Sequence, residues 1–314
     1  MIGTAAPIGN LCRILRTAAS WRWVAAAALT VSLSGCKDVF FAAINSAESP
    51  RNIAIHRNLE FDARTGLDLD VYAPASAAGA PVVVFIYGGS WESGKRRWYG
   101  YVGKTLASNG IVTMIPDYRK YPDVQFPVFV DDAANAVRWA RDHATEFGGD
   151  PSRLYVMGHS AGGQIAALLA CDPRYLDAAG MRTSDLSGMI GLAGAYDFLP
   201  FVEEEPQIFG ADETSVHDSQ PINFVNASEP ALLLLQGEDD DEVEPSNAKS
   251  MAAKARAAGS SVELKLYPGV GHASIILSLA RAHRTKSRTL DDILAFIHEP
   301  HGAAANSAAG SASQ

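Results

Sequence analysis

Short apolar runs alternate with helix-patterned segments along most of this 314-residue chain. The run PVVVFIY at 81–87 is continuously apolar and rich in β-branched residues, which is typical of a strand buried on both faces. The other runs of this kind are IVTMIP (111–116), LYVMG (154–158), MIGLAGAY (189–196), ALLLLQ (231–236) and VELKLY (262–267). Strands separated by helices predict an α/β fold, in which a mostly parallel sheet carries helices on both faces.

The segments between these runs have helical periodicity. The predicted helices cover residues 98–110, 128–147, 161–170, 246–258 and 290–298. Ahead of the first buried run, 52–61 and 67–72 are predicted to form a hairpin with Thr65-Gly66 at its turn. Catalytic groups of parallel sheets gather outside the carboxyl ends of the strands, so a candidate residue should directly follow a strand.

The N-terminal segment differs from the rest of the chain. It carries Arg13, Arg16 and Arg22 but no acid before an apolar run at 23–33, which is short for a membrane span. The run ends in Leu33-Ser34-Gly35-Cys36, which resembles a bacterial lipobox. We predict a lipoprotein signal peptide over residues 1–35 and lipidation of Cys36. An ordinary cleaved signal or an uncleaved anchor is the alternative.

Lipidation at Cys36 implies a protein held by its lipid anchor on a membrane of the bacterial cell envelope, facing the periplasm. Lys37 after the cysteine slightly favours the outer membrane. Residues 36–52 are predicted as a linker, although 37–52 also fits a first helix. Residues 53–299 are predicted as one catalytic domain, and the small, polar tail at 300–314 as disordered.

Charge and cysteine content exclude several classes of function. The formal net charge is −9, and removal of residues 1–35 with their three arginines changes it to 23 − 35 = −12. Such a surface argues against nucleic acid as a partner. Cys171 is the single cysteine left beside Cys36 and Cys12, so no intramolecular disulfide is expected. Cysteines and histidines show no metal-ligand spacing, and neither a metal nor a cofactor is predicted.

The segment Gly158-His159-Ser160-Ala161-Gly162 follows a predicted strand and opens a predicted helix. This G-x-S-x-G pattern is typical of a nucleophile elbow, a sharp turn that lifts a serine hydroxyl above the sheet. Side chains two residues from the serine on either side would collide, which accounts for both glycines. The sequence therefore predicts Ser160 as a nucleophile.

A serine nucleophile requires a general base and an acid that orients it. His272, in YPGVGHAS after the strand at 262–267, is the histidine that follows a strand end within a glycine-lined loop. His159 lies inside the elbow, where its side chain is expected to point away from Ser160 and to be structural. The remaining histidines precede the expected acid or lie in helical segments, namely His56, His143, His217, His283, His298 and His301.

The acid is expected in GEDDDEVEP, which follows the strand at 231–236 and holds six carboxylates. Its frame resembles the G-x-x-D-x-x-V turn of serine hydrolases, and counting from Gly237 to Val243 selects Asp240. Asp239 and Asp241 remain as alternatives. The other acids of the turn are predicted to be solvated.

The strand at 81–87 runs into Gly88-Gly89-Ser90-Trp91. Small residues let the backbone approach a substrate, and their amides can stabilise a developing oxyanion. We predict an oxyanion hole formed by the amides of Gly89, Ser90 and Ala161. A simple glycine turn is the alternative.

Four stretches together resemble α/β-hydrolase esterases of the hormone-sensitive-lipase-like and feruloyl-esterase-like kinds. They are IYGGSW, PDYRKYP, the elbow with its preceding helix, and GMIGLAGAYD. The resemblance implies the α/β-hydrolase fold and makes Asp117 and Arg119 supports of the oxyanion loop. Tyr87 stands where these families usually have histidine, and Ser90 where many have a third glycine, which leaves the substrate open.

These residues predict a serine carboxylic-ester hydrolase that acts on small acyl or aryl esters through an acyl-enzyme. An arylformamidase-like amidase is the second hypothesis, and a peptidase is less favoured. A non-catalytic envelope lipoprotein with a hydrolase fold is the hypothesis from another class. The aromatic and acidic segment at 198–229 is predicted either to form a small lid or to be a surface excursion.

Overall fold

A single sheet organises residues 37–202 and 205–298, the part of the chain that this computed structural model describes. Its strands are β1 Ile53–Asp62, β2 Leu67–Pro74, β3 Ala80–Ile86, β4 Val112–Pro116, β5 Gly149–His159, β6 Gly188–Leu192, β7 Ala231–Gly237 and β8 Val262–Tyr267. They lie in the order β1-β2-β4-β3-β5-β6-β7-β8. The β1–β2 and β2–β4 pairs are antiparallel and every other pair is parallel, so the predicted hairpin and mostly parallel sheet are confirmed.

Helices fill the connections between the strands. They are α1 (residues 37–47), α2 Gly100–Ser108, α3 Val128–His143, α4 Ala161–Cys171, α5 Pro173–Ala178, α6 Glu205–Phe209, α7 Glu213–Asp218, α8 Ser246–Ala258, α9 His272–Leu277 and α10 Thr289–His298. Short 3₁₀ turns cover Arg96–Tyr99, Ala144–Phe147, Thr183–Asp185, Pro221–Phe224 and Arg281–Lys286.

The central strands are buried on both faces. Every residue of β3 and β6 is buried, although successive side chains of a strand point to opposite faces. Both faces of the sheet are therefore covered at these central strands, as a parallel sheet requires. Helices α3 and α4 pack on β3 and β5, α2 packs on β4, and α8 packs on β7 and β8.

Strand order brings the predicted functional loops to one edge of the sheet. The segment after β3 carries the glycine-rich loop, and β5, the neighbour of β3, ends in the elbow. The acidic turn follows β7, and the His272 segment follows β8, which pairs with β7. Because these strands are parallel, all four loops leave the sheet at its carboxyl edge.

The outer strand β1 pairs irregularly with β2. Its register shifts between His56 and Leu59 and again between Glu60 and Asp62. Such interruptions are β-bulges or similar irregularities, which bend a strand and break the regular spacing of its amides. Arg57 and Glu60 are exposed on this strand.

Residues 37–47, which the sequence leaves open between a linker and a helix, form α1 and contact the domain. The Phe41 ring stacks on Trp98 with 5.2 Å between centroids, and the Asn45 side chain donates a hydrogen bond to the Arg97 carbonyl. Val39 and Phe40 on the same helix are 72% and 48% exposed. The predicted signal peptide, Cys36 and the tail at 300–314 lie outside the described residues. Within 37–202 and 205–298, no helix has the length and apolar character needed to cross a bilayer.

Candidate active site

Ser160 occupies a strained turn between β5 and α4. Its backbone has φ 55° and ψ −124°, a conformation that a residue with a side chain rarely adopts. Any side chain at the flanking positions 158 and 162 would clash with neighbouring backbone, so both positions require glycine. A Cβ on Gly158 would lie 2.0 Å from the Gly162 carbonyl oxygen, and a Cβ on Gly162 would lie 2.1 Å from that of Ile86. The backbone thus holds the serine above the strand end, as the elbow pattern predicts.

Asp240 and His272 form a direct pair at the neighbouring strand ends. Asp240 Oδ2 accepts a hydrogen bond from His272 Nδ1 at 2.9 Å, and both side chains are buried. The same carboxylate accepts from the amides of Glu242 and Val243 and from the Gln236 side chain. Burial opposes ionisation of Asp240, but the hydrogen bonds from His272 and Val243 outweigh it and lower its pKa.

The hydrogen bond to Asp240 fixes the tautomer of the His272 imidazole. Because Nδ1 donates to Asp240, Nε2 of neutral His272 is free to accept a proton. Ser160 and His272 line one cavity of about 380 Å³. His272 follows the predicted glycine-lined loop but is itself the first residue of α9, with Gly271 as its N-cap. The structure therefore gathers the three predicted triad residues at one edge of the sheet.

The loop after β3 and the first turn of α4 present free amides beside Ser160. Within the described residues, the N–H groups of Gly89, Ser90 and Ala161 donate to no protein acceptor. Ser90 and Ala161 line the cavity, whereas the Gly89 backbone packs against Ser93, with φ 141°. A Cβ on Gly89 would lie 2.5 Å from the Ser93 carbonyl oxygen, so glycine is required there. These N–H groups are therefore available as the hydrogen-bond donors that an oxyanion hole needs.

Tyr87 anchors the glycine-rich loop from below. Its hydroxyl donates to Asp117 Oδ1 at 2.9 Å, and its carbonyl accepts from the Tyr118 hydroxyl at 2.9 Å. Arg96 holds the other oxygen of Asp117 at 2.8 Å. Asp117 thus supports the loop, as the resemblance implies. Arg119 does not reach the loop, because it pairs with Asp132 on α3 at 2.7 Å.

The BD-FAE family model matches residues 69–255, more than half of the chain. The chain belongs to the BD-FAE family. The match covers β2 through most of α8 and includes the glycine-rich loop, the elbow and the acidic turn. The expected resemblance to feruloyl-esterase-like α/β-hydrolases is confirmed.

Curated relatives and solved structures agree with this assignment. The isoprenylcysteine alpha-carbonyl methylesterase ICME of Arabidopsis thaliana is 28% identical over 266 residues, 78% of this chain and 62% of that protein. The esterase LipC of Mycobacterium tuberculosis is 32% identical over 249 residues, 71% and 59% of the two chains. This chain thus spans about three fifths of the length of either relative. A Pyrobaculum calidifontis esterase structure shares the fold, with a TM-score of 0.71, 20% identity, and coverage of 85% of this chain and 91% of that one.

The segment after β6 closes one side of the cavity in this BD-FAE family member. Phe198, Leu199, Pro200, Val202 and Glu205 line the cavity. Behind them, Phe209 is buried and meets the Trp91 ring edge-on at 4.8 Å. The described residues at the start of this segment therefore form one wall of the cavity.

A buried glutamine, Gln164 on α4, connects the segment after β6 to the glycine-rich loop. The Gln164 side chain accepts a hydrogen bond from Trp91 Nε1 at 3.1 Å and donates to the Ser219 carbonyl at 2.8 Å. Gln164 and Ser219 are fully buried. The glycine-rich loop, helix α4 and the wall are thus joined by one side chain, which the sequence patterns do not indicate.

His159 contacts the candidate base directly. Its Nε2–H donates to the His272 carbonyl at 3.1 Å, and the two rings lie 4.8 Å apart. Burial of this ring lowers the pKa of His159 to about 3, so it is neutral at ordinary pH. The elbow position alone predicts a structural histidine, but only the contact of the His272 segment with the elbow shows that it supports His272.

Two acids of the β7–α8 turn have a position that the sequence does not predict. All five acids beside Asp240 are exposed, as expected for solvated residues. Glu242 and Glu244 nevertheless line the cavity, and Glu242 Oε2 lies 3.8 Å from His272 Nε2. The turn therefore contributes charge to the site as well as the buried carboxylate.

Proposed function

We propose that the protein is a carboxylesterase in which Ser160, His272 and Asp240 form the catalytic triad. The observation that carries this proposal is the Asp240–His272 hydrogen bond in the cavity that Ser160 also lines. Membership of the BD-FAE family supports it, as do relatives that are named as esterases.

In the proposed reaction, His272 Nε2 removes the proton of the Ser160 hydroxyl as its oxygen attacks the ester carbonyl. The amides of Ser90 and Ala161, with Gly89 behind them, stabilise the oxyanion of the tetrahedral intermediate. The imidazolium then protonates the leaving alcohol, which departs and leaves an acyl-enzyme. Water activated by His272 cleaves this intermediate and releases the acid. Asp240 orients the ring and stabilises its charged form.

The proposed substrates are small carboxylic esters with short acyl or aryl groups. A cavity of about 380 Å³ is near the lower end of the range for small-molecule sites. Trp91 and Phe198 on its wall are suited to contact with apolar or aromatic acyl groups.

The test is hydrolysis of p-nitrophenyl acetate and butyrate by the purified wild type and by Ser160→Ala. We expect turnover by the wild type and a loss of roughly 10³-fold or more in the variant. A fluorophosphonate probe should label the wild type on Ser160, as mapped by peptide mass spectrometry. Equal turnover of both proteins would reject the proposal. Turnover of an aryl-formamide in preference to both esters would favour the amidase alternative.

We also propose that Cys36 carries a lipid that holds the protein on an envelope membrane, facing the periplasm. The basic and apolar segment that ends at this cysteine supports the assignment. Residues 37–47 form α1, on which Val39 and Phe40 are exposed. Apolar side chains next to a lipid anchor add to its hold on a bilayer.

A further inference from the structure

The cavity that holds Ser160 and His272 is strongly acidic. Four carboxylates line it, and no lysine or arginine is among its lining residues in the described chain. The acids are Asp197, Glu205, Glu242 and Glu244. Acids elsewhere on the surface would serve solubility equally well. The negative charge in the cavity is therefore expected to affect which substrates bind.

The position of Glu242 indicates whether the acyl part or the alcohol part of an ester lies near these carboxylates. In the proposed reaction, His272 Nε2 delivers the proton to the leaving alcohol, so the alcohol oxygen must lie next to Nε2. Glu242 Oε2 lies 3.8 Å from that same nitrogen. The alcohol half of an ester therefore passes beside the Glu242 carboxylate.

Aromatic rings accompany the carboxylates in the cavity. Trp91 and Phe198 both line it, and their rings stack with 5.7 Å between centroids. An ammonium group is attracted both by a carboxylate and by the electron-rich face of an aromatic ring. Among the described residues, the hydrogen bond to the Glu244 carboxylate comes from the neutral Ser246 hydroxyl at 3.4 Å, and no cation pairs with it.

We propose that this site selects esters whose leaving alcohol carries a positively charged amine or quaternary ammonium group, with Glu242 as a specificity-determining residue. The proposal rests on the proposed esterase function. The Glu242 side chain is 69% exposed, so water screens part of its charge. Selection is therefore expected to be moderate, several-fold rather than thousand-fold.

The test compares two esters of nearly the same shape with the purified full-length chain. Acetylcholine carries a quaternary ammonium on its alcohol, and 3,3-dimethylbutyl acetate has carbon in place of that nitrogen and is neutral. We expect the wild type to have the higher kcat/KM for acetylcholine. Glu242→Gln should lower the ratio of the two kcat/KM values by about fivefold, which corresponds to about 1 kcal/mol. Rising ionic strength should lower the wild-type ratio in the same direction.

Glu238→Gln is the matched control. Glu238 is an exposed acid of the same turn that lies outside the cavity lining, and the substitution changes the net charge by the same amount. It should keep the wild-type ratio. A wild-type ratio of one or less would overturn the proposal, as would an unchanged ratio in Glu242→Gln or an equal fall in Glu238→Gln. Failure of the wild type to hydrolyse even the neutral ester would instead reject the esterase function.

Discussion

Asp240 accepts four hydrogen bonds from residues of the described chain. The amides of Glu242 and Val243 bind one oxygen, while Gln236 and His272 bind the other. The carboxylate cannot rotate without breaking several of these bonds at once. A base that is oriented in advance needs little reorganisation during the reaction.

Asp240→Asn tests this orientation. The amide keeps the size of the side chain but removes the charge that stabilises the imidazolium, and it can place an NH₂ against Nδ1 and so favour the wrong tautomer. We expect kcat for p-nitrophenyl acetate to fall by roughly 10³- to 10⁴-fold, with the circular dichroism spectrum unchanged. Asp239→Asn and Asp241→Asn, on exposed neighbours, should stay within about twofold of the wild type. A larger loss in either neighbour would assign the acid to that residue instead.

His159 makes the protein sensitive to mild acid. Its pKa is about 3 in the folded state because burial disfavours the charged ring, against about 6.5 in an unfolded chain. Between these values the unfolded state binds a proton that the folded state does not. Stability from this group is therefore complete above pH 6.5 and decreases as the pH falls, by up to about 1.4 kcal/mol per pH unit.

His159→Gln should flatten this dependence. We expect the free energy of urea unfolding to fall less steeply between pH 6.5 and 5 in the variant than in the wild type. The free energies of unfolding of both proteins at pH 7.5 provide the baseline. Their difference there measures the loss of the hydrogen bond to the His272 carbonyl, without the effect of proton binding. Identical slopes in the two proteins would show that His159 does not titrate on unfolding.

At the scale of elements, the elbow is a crowded junction of three segments. Strand β5, helix α4 and the end of β3 meet where a Cβ on Gly162 would overlap the Ile86 carbonyl. Gly162→Ala should therefore lower the free energy of unfolding by more than about 3 kcal/mol, because backbone atoms must shift.

Gly259→Ala is the control for that substitution. Gly259 ends α8 with φ 89°, and no atom lies within 4 Å of the Cβ position. Alanine there costs only the left-handed backbone conformation, about 1 kcal/mol. Chemical denaturation of the two variants should separate crowding from backbone strain. Equal losses in both variants would mean that the elbow relaxes without cost.

The buried strands and long helices could be predicted from the sequence because their patterns are local. VELKLY coincides with β8, and the helix predicted at 246–258 coincides with α8. The short helices α5, α6 and α7 were not predicted, since six residues or fewer give too little periodicity to detect. Strand β5 begins five residues earlier than LYVMG suggests, because Gly149 pairs with Ala80 at the start of β3, before a register shift that precedes Leu154.

In the site, too, the sequence predicts what depends on local patterns and misses what depends on contacts between distant segments. The strand ends predict the loops that hold Ser160, Asp240 and His272, and the resemblance to the G-x-x-D-x-x-V turn favours Asp240 over its neighbours Asp239 and Asp241. The contacts of His159 and Glu242 with His272 depend on how separate loops fold against each other. Neither a motif nor a spacing carries that information, so these two contacts emerge only in three dimensions.

At the scale of the whole molecule, the proposed lipid anchor makes a separate prediction. Expression in a bacterial host with radiolabelled palmitate should label the wild type and place it in the membrane fraction. Cys36→Ala should abolish the labelling, because the proposed lipid is attached to the Cys36 thiol. Cys171→Ala is the control, since that thiol is buried in the domain. Persistent labelling of Cys36→Ala would contradict the proposal.

The irregular pairing of β1 has a consequence for behaviour in concentrated solution. A long, straight border strand would offer a row of evenly spaced amides on which the sheet of another molecule could continue. The two register shifts and the exposed Arg57 and Glu60 interrupt that row. Molecules crowded together should therefore meet at this border without joining into a shared cross-β stack.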